Sequence, residues 1–417
     1  MCGRQCPRVL ACPGGIGPIS LSTTSETGYV GALENDMDRR EFVALAAAAP
    51  TLPAIAAVNE RRPARQQAFT FYSPLSEDWY PGGQYFTWTS TTLDNANREV
   101  DVFYRTFGDR SNPAILLVHG YPTSSFDFRE LIGLLQDDYF LCTLDFPGFG
   151  FSDKPQDRYS YMLRDDAKLL DHFVREIVGL DSFHMVTHDR GVSVGLAFLG
   201  DYLEAPNREY EITYHFLSNS GSFLPLANLG DGQRAVLDPV RGPQLTEAAK
   251  ARPRVTEGDP VDVAYADMFA FNDGVGARLH VGKYLLERAA NEYRWLANLK
   301  ESPIPTALFW GLLDTVNPPR TANYIWMNYL NDREVESSFW LLPTAGHYPQ
   351  RDEPGAVAEV VRACLDGRVP APEEEDSVMR AIASARTTPA SPVYMGRSHI
   401  RDVQFPGAVE YTPAGYR

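Results

Sequence analysis

The sequence predicts an α/β protein in which a mostly parallel β-sheet is flanked by helices and carries an inserted helical cap. Short apolar runs recur along the chain, as expected for strands that are buried on both faces. Helix-periodic segments separate several of these runs, and such alternation is typical of parallel sheets. The alternation stops between residues 224 and 300, where the sequence is helix-like, loop-rich and aromatic, and then resumes.

The individual elements follow from the local patterns. Residues 84–91 and 99–108 alternate polar and apolar side chains, which predicts a hairpin of antiparallel strands. Buried strands are predicted at 114–118, 139–146, 183–187, 211–217, 306–310 and 339–342. Helices are predicted at 163–180, 192–203 and 356–365, where apolar residues recur at helical spacing.

Changes in composition divide the chain into six parts. They are a disordered or over-long start at 1–36, a twin-arginine export signal at 37–57, the first part of the core at 58–223, the cap at 224–300, the second part of the core at 301–368, and a loosely ordered tail at 369–417. Arg39 and Arg40 precede an alanine-rich, mildly apolar stretch, which supports the signal. This predicts a periplasmic or extracellular protein, and otherwise a cytoplasmic one.

The acidic composition excludes several classes of function. The 417 residues carry a formal net charge of -16, which argues against nucleic acid and anionic membrane surfaces as partners. The sequence contains no metal-ligand spacing, no P-loop and no glycine-rich dinucleotide fingerprint, so we expect neither a metal nor a cofactor. Cys142 and Cys364 lie in separate predicted elements and are interpreted as core thiols.

Residues suited to catalysis follow four of the predicted strands. Asp189 stands at the sharp corner between the strand 183–187 and the next helix, Asp314 follows the strand 306–310, and His347 follows the strand 339–342. Tyr121 lies in the turn His-Gly-Tyr-Pro after the strand 114–118. Because open parallel sheets place their sites at the carboxyl ends of strands, these residues are expected to converge.

This order of nucleophile, acid and histidine resembles the α/β-hydrolase superfamily. The similarity spans residues 114–366 and points to the epoxide hydrolase and haloalkane dehalogenase branch, most closely to the mesoderm-specific transcript protein-like hydrolases. It rests on His-Gly-Tyr-Pro-Thr-Ser-Ser-Phe-Asp at 119–127, on 149–155, His-Asp at 188–189, Asn-Asp-Gly at 272–274, 314–318 and His-Tyr-Pro-Gln at 347–350. The resemblance implies a carboxylate-nucleophile hydrolase fold, but it supplies no substrate.

The residue types define the chemistry. A carboxylate is already a nucleophile at neutral pH, so Asp189 can attack an sp3 carbon and form an alkyl ester that water can cleave. His347 would activate that water, and Asp314 would orient the imidazole. The backbone N–H groups of Tyr121 and Arg190 are the expected oxyanion-hole donors. Structural alternatives remain open, namely helix or turn capping by the two aspartates and a structural role for His347.

The leaving group is less well defined by the sequence. Tyr284 and Tyr293 of the cap are candidates to protonate an epoxide oxygen, and Tyr265 is a further cap tyrosine; the alternative is that these rings only pack. Asn-Glu-Tyr-Arg at 291–294 resembles the end of epoxide hydrolase caps.

Arg190 stands where haloalkane dehalogenases have a tryptophan. It resembles the His-Asp-Arg-Gly motif of haloacid dehalogenases, whose second arginine would fall at Ser193. Thr187 occupies a corner position where glycine is usual.

Three functions follow as hypotheses. The first is an epoxide-hydrolase-like enzyme that needs no cofactor and acts on a small hydrophobic electrophile and water. The second is a haloacid or haloalkane dehalogenase, and the third is a non-catalytic binding protein on the same fold. A homodimer is left open by the sequence.

Overall fold

The computed structural model describes residues 69–95, 97–157, 159–369 and 388–398. The predicted start at 1–36 and the predicted export signal at 37–57 lie outside the described residues. Within the described ranges, no helix is both long and apolar enough to cross a bilayer. No group of three or more histidine, cysteine, aspartate or glutamate residues in these ranges could hold a metal ion.

The described residues form a nine-stranded sheet that is parallel in its centre. The strands are β1 (Gln84–Thr89), β2 (Glu99–Phe107), β3 (Ala114–Val118), β4 (Phe140–Leu144), β5 (Ser182–His188), β6 (Glu211–Ser218), β7 (Thr306–Gly311), β8 (Ser337–Leu342) and β9 (Val393–Arg397). Their spatial order is β1-β2-β4-β3-β5-β6-β7-β8-β9. Strands β3 to β8 are parallel, whereas β1, β2 and β9 pair antiparallel at the edges.

The helices lie on both faces of the sheet and in the insertion. Before the insertion they are α1 (Pro74–Trp79), α2 (Arg129–Leu135), α3 (Leu163–His172) and α4 (Arg190–Glu204). The insertion contains α5 (Asp231–Leu237), α6 (Arg241–Lys250), α7 (Pro260–Ala270), α8 (Gly274–Gly282) and α9 (Tyr284–Glu301). After it come α10 (Pro319–Ile325), α11 (Pro349–Asp352) and α12 (Pro354–Leu365). This agrees with the predicted α/β fold.

The central strands are buried because helices cover both faces of the sheet. All five residues of β3 and all five of β4 are buried, which explains their uninterrupted apolar sequences. Edge strand β1 instead alternates between exposed and buried positions. Cys142 and Cys364 are buried free thiols, as the sequence predicts.

Polar contacts fix the cap above the carboxyl ends of the strands. Tyr265 of α7 donates to Asp127 at 2.6 Å, and the buried Asp267 of the same helix accepts from the backbone N–H of Ser73 at 3.1 Å. Helix α9 lies against α4, where Asn298 Nδ2 donates to the Leu196 carbonyl at 3.1 Å. A Cβ at Gly200 would come within 2.3 Å of Asn298, so glycine permits this close approach.

The predicted loose tail is wrong for residues 393–397. They form β9, which pairs antiparallel with β8 at the edge of the sheet. Tyr394 is fully buried, with its ring 4.9 Å from that of Trp340. The strand pairs with a segment distant in the sequence, and its five residues carry too little pattern to predict that contact.

We predict that Tyr394→Ala lowers the free energy of unfolding by about 3–5 kcal/mol, because it leaves a cavity against Trp340. Chemical denaturation monitored by circular dichroism measures this loss. The matched control is Met395→Ala, since Met395 is 47% exposed, and its effect should stay within about 0.5 kcal/mol. Equal effects of the two substitutions would contradict the packing of β9.

Candidate active site

The corner between β5 and α4 places Asp189 in an unusual backbone conformation. Its φ is 50° and its ψ is -116°, a region that a residue with a side chain adopts at a cost of about 1–3 kcal/mol. Neighbouring glycines make room for the turn. A Cβ at Gly191 would lie 2.4 Å from the Val118 carbonyl oxygen, and one at Gly120 would lie 2.6 Å from Asp189 Cβ.

Thr187 is accommodated at this corner although glycine is usual there. Its Cγ2 lies 2.8 Å from where a Cβ would stand on Gly195 of α4. The absence of a side chain at Gly195 therefore makes room for Thr187. Its hydroxyl lies 2.9 Å from His215 Nε2 and donates to the Phe216 carbonyl at 3.2 Å. Both polar contacts tie the end of β5 to the adjacent β6.

The Asp189 carboxylate points toward the loop that follows β3. Its Oδ1 accepts the backbone N–H of Tyr121 at 2.8 Å. The Ser220 hydroxyl donates to the Asp189 carbonyl at 3.0 Å and steadies the corner. The N–H of Arg190, the other predicted donor, is the first of α4, where backbone donors have no partner within the helix. Among the described residues it makes no hydrogen bond to the carboxylate in this structure.

His347 and Asp314 are joined by a hydrogen bond. His347 Nδ1 donates to Asp314 Oδ2 at 3.0 Å. The other oxygen of Asp314 accepts the N–H groups of Val316 and Asn317, both at 2.8 Å. Asn219 adds a 2.8 Å bond from Nδ2 to Asp314 Oδ2. With four donors on two oxygens, Asp314 is held in place and acts only as a hydrogen-bond acceptor.

The other nitrogen of the imidazole faces Asp189. His347 Nε2 lies 3.7 Å from Asp189 Oδ2, and the two side chains are only 11% and 6% exposed. The site thus places the histidine between two carboxylates. Its Nδ1 proton is committed to Asp314, which leaves Nε2 as the nitrogen that can accept a proton beside the Asp189 carboxyl.

Electrostatic interactions lower the pKa of Asp189 and raise the pKa of His347. Burial alone would raise the pKa of Asp189, but His347, Arg288 and the Tyr121 N–H outweigh it and hold that pKa below its usual value. Burial would lower the pKa of His347, but the hydrogen bond and charge of Asp314 and the charge of Asp189 raise it. The resting pair therefore favours a carboxylate beside a histidine that binds a proton readily.

The neighbouring histidines support the backbone. His119 Nε2 accepts the N–H of Phe146 at 3.0 Å, and burial lowers the His119 pKa to about 3. His188 Nε2 lies 2.7 Å from the carbonyl of His347, and burial lowers the His188 pKa to about 4. Both rings therefore stay neutral, and each connects two loops through a hydrogen bond to the backbone.

The cap contributes two buried side chains from α9. Tyr284 is 2% exposed, its ring lies 5.4 Å from that of Tyr121, and its hydroxyl has no hydrogen-bond partner in the described structure. Burial raises the pKa of Tyr284, so the phenol keeps its proton. Arg288 lies one turn further along the same face and is also 2% exposed. Its Nε donates to Ser193 Oγ at 2.9 Å.

One predicted residue, Tyr293, lies away from the site, and the side chain of another, Arg190, is already paired. Tyr293 was expected at the site, but it is 56% exposed and lies edge-on against Phe223. Nine residues separate it from Tyr284, and nine steps of 100° place it on the opposite face of the helix. The Arg190 side chain forms a fully buried ion pair with Asp166, whose pKa is raised by burial to about 7.

Sequence reasoning missed Asn219 and Arg288. Asn219 follows β6 in a run of small polar residues, Ser-Asn-Ser-Gly-Ser at 218–222. Such a run at the carboxyl end of a parallel strand is a signal that could have been used. Arg288 lies in a charged helix, and nothing in the sequence distinguishes it from the exposed Arg294 of the same helix.

Comparison with known proteins agrees with the architecture. Residues 113–208 match the model of the family described as "alpha/beta hydrolase fold". LipZ of Mycobacterium tuberculosis, a protein named as a hydrolase, is 32% identical over 305 residues, covering 70% of this chain and 99% of LipZ. The mouse mesoderm-specific transcript protein is 29% identical over 308 residues, covering 68% of this chain and 85% of the mouse protein.

Dehalogenases are among the similar proteins as well. Haloalkane dehalogenase 2 of Mycobacterium bovis is 26% identical over 304 residues, covering 69% of this chain and 98% of that protein. The crystal structure of haloalkane dehalogenase DbeA from Bradyrhizobium elkani superposes with a TM-score of 0.55 at 21% identity, covering 68% and 98% of the two chains. From its sheet order, its site geometry and these relatives, we conclude that the chain belongs to the α/β-hydrolase family.

Proposed function

We propose that the protein is a cofactor-independent hydrolase in which Asp189 forms an alkyl ester with an epoxide. One observation carries the proposal: a carboxylate at the β5–α4 corner has an N–H donor on Oδ1 and an imidazole 3.7 Å from Oδ2. A serine at this corner would form a stable ether with an sp3 carbon, whereas a carboxylate forms an ester that water can cleave.

In the first step, Asp189 Oδ2 attacks a ring carbon and the carbon–oxygen bond of the epoxide breaks. The electron pair of that bond goes to the ring oxygen, which takes a proton from the Tyr284 hydroxyl. Tyr284 is available for this role because burial raises its pKa and keeps the phenol protonated, and because its hydroxyl is unpartnered within the described ranges. Solvent protons restore the tyrosine after the product leaves.

In the second step, His347 Nε2 removes a proton from a water that attacks Asp189 Cγ. The carbonyl electron pair moves to Oδ1, where the Tyr121 N–H stabilises the oxyanion; one such donor contributes about 3–4 kcal/mol. The oxyanion collapses, the bond from Asp189 Cγ to the product oxygen breaks, and the imidazolium returns the proton to that oxygen. One water oxygen stays on Asp189, whose carboxyl releases the second water proton to solvent and so balances the proton taken up by Tyr284, and the product is a diol.

A second candidate function is hydrolysis of a carbon–halogen bond. It is supported by the similarity to haloalkane dehalogenase 2 over nearly the whole of that protein. The ester on Asp189 and its hydrolysis would be identical, but the leaving halide needs no proton. Release of chloride or fluoride from an alkyl halide or haloacid distinguishes this reaction from epoxide opening.

We predict that His347→Gln traps the alkyl ester, since the nucleophile is intact and the base is gone. After exposure to epoxides, mass spectrometry of the protein and its peptides should find one adduct on Asp189. The double variant with Asp189→Asn is the control and should remain unmodified. A substrate that wild type turns over without an adduct in His347→Gln would rule out the covalent mechanism.

We predict that Tyr284→Phe slows epoxide opening by roughly 10²–10⁴-fold, because the proton donor is lost. The alkylation rate of Asp189, measured in the His347→Gln background, reports this step alone. An alkyl halide of similar size is the control and should react at an unchanged rate. Equal slowing of both substrates would show that the Tyr284 hydroxyl acts by packing and not as an acid.

We predict that His347 titrates above the usual 6.5 in the resting enzyme, because Asp314 and Asp189 favour its protonated form. Asp314→Asn and Asp189→Asn should each lower the midpoint measured by NMR. Hydrolysis of the ester needs neutral His347 and should slow as pH falls. His188 serves as the internal control, since its pKa of about 4 keeps it neutral above pH 5. A wild-type midpoint below 6.5 would be the contrary result.

A further inference from the structure

Arg288 is a buried cation that has no counter-charge in direct contact. It is 2% exposed, and no carboxylate of the described residues lies within 4.0 Å of its guanidinium. Within the same ranges its single hydrogen bond runs from Nε to Ser193, and Nη2 is buried without a partner. A buried, unpaired charge is among the most costly features of a fold, so its retention calls for a ligand.

The guanidinium is held in one orientation. Nε is anchored to Ser193 of α4, and the Tyr284 ring lies 4.8 Å beneath the guanidinium carbon. Nη1 lies 3.0 Å from where a Cβ would stand on Gly221, at the carboxyl end of β6. Among the described residues these contacts occupy Nε and one face of the guanidinium, so the edge that carries the unpartnered Nη2 is left for an acceptor.

Arg190, the nearest comparable residue, differs from Arg288 in charge balance. Both guanidinium groups face the Tyr284 ring, at 5.3 Å and 4.8 Å from its centre. Arg190 pairs with the buried Asp166, so its charge is already compensated. Arg288 instead acts across the site on Asp189, whose carboxylate it stabilises. Arg288 therefore lies near the nucleophile without an ion pair of its own among the described residues.

We propose that the Nη1–Nη2 edge of Arg288 binds a carboxylate group of the substrate, so that the electrophile attacked by Asp189 is an acid. This inference rests on the proposed function, because it places the ligand at the same nucleophile. A planar carboxylate matches two parallel N–H donors of a guanidinium. Its single charge also matches the single guanidinium that has no ion pair, whereas a dianionic phosphate would need a second cation.

Paired probes that differ only in the carboxylate test the proposal. Styrene oxide and 3-phenylglycidate are compared as substrates of the full-length wild type, Arg288→Gln and Arg288→Lys. Arg288→Gln should lower kcat/KM for phenylglycidate roughly 10–100-fold more than kcat/KM for styrene oxide, the loss expected for a charged hydrogen bond, whereas an effect through the Asp189 carboxylate lowers both values equally. Arg288→Lys should recover part of the loss. Because the neutral probe reports correctly folded enzyme, a folding defect cannot imitate the result.

Arg294→Gln is the matched control, since Arg294 lies on the same helix but is 65% exposed and pairs with Glu204 at the surface. It should change neither probe. An equal loss for both probes in Arg288→Gln would overturn the proposal and assign Arg288 to the reaction step instead.

A binding measurement separates this inference from the proposed function. Calorimetry with the unreactive phenylacetate and phenylacetamide should show binding of the acid to wild type and its loss in Arg288→Gln. Equal binding of phenylacetate to both proteins would overturn the inference even if epoxides react. If no epoxide alkylates Asp189 but phenylacetate binds through Arg288, the proposed function fails and the carboxylate site stands.

Discussion

The strained backbone at Asp189 is the constraint on which the site depends. A strand that enters a helix without a loop can expose its corner side chain only if the corner residue leaves the common backbone regions. The positive φ of Asp189 does this, and Gly120 and Gly191 admit the neighbouring chain. Their side-chain-free surfaces let the loop after β3 bring its N–H within 2.8 Å of the carboxylate. Thr187 is tolerated because Gly195, which lies against it in α4, has no side chain.

Three aspartates near His347 show how environment divides one chemical group into different roles. Asp314 receives four hydrogen bonds and serves as a fixed acceptor for the imidazole. Asp127, fully buried and bonded to Tyr265, has its pKa raised by burial to about 6 and links the core to the cap. Of the three, only Asp189 has an oxygen near His347 Nε2, the ring nitrogen that is not bonded to Asp314. Position relative to the imidazole, and not residue type, separates the three.

The two buried arginines illustrate the same principle for positive charge. Arg190 comes from the core helix α4 and is neutralised by Asp166, so it stabilises the packing of α3 against α4. Arg288 comes from the cap helix α9 and depends on Asp189 for its nearest negative charge. Alkylation of Asp189 would remove that charge, which makes a substrate carboxylate the natural counter-ion in the second step. The cap would then determine which molecules reach a nucleophile that the core supplies.

The amino-acid pattern was enough to predict the central strands of the sheet, the insertion and the order of Asp189, Asp314 and His347, because these follow from local apolar runs and from residues at strand ends. It also indicated Tyr121 through the turn after β3. The three-dimensional packing was needed to show that Tyr284 is buried beside Tyr121 while Tyr293 is exposed, that β9 belongs to the sheet, and that Arg190 forms an ion pair while Arg288 does not. These outcomes depend on which helix face meets the core and on charges brought together from distant segments. A sequence pattern encodes periodicity within an element, but it does not encode the partner that the element meets.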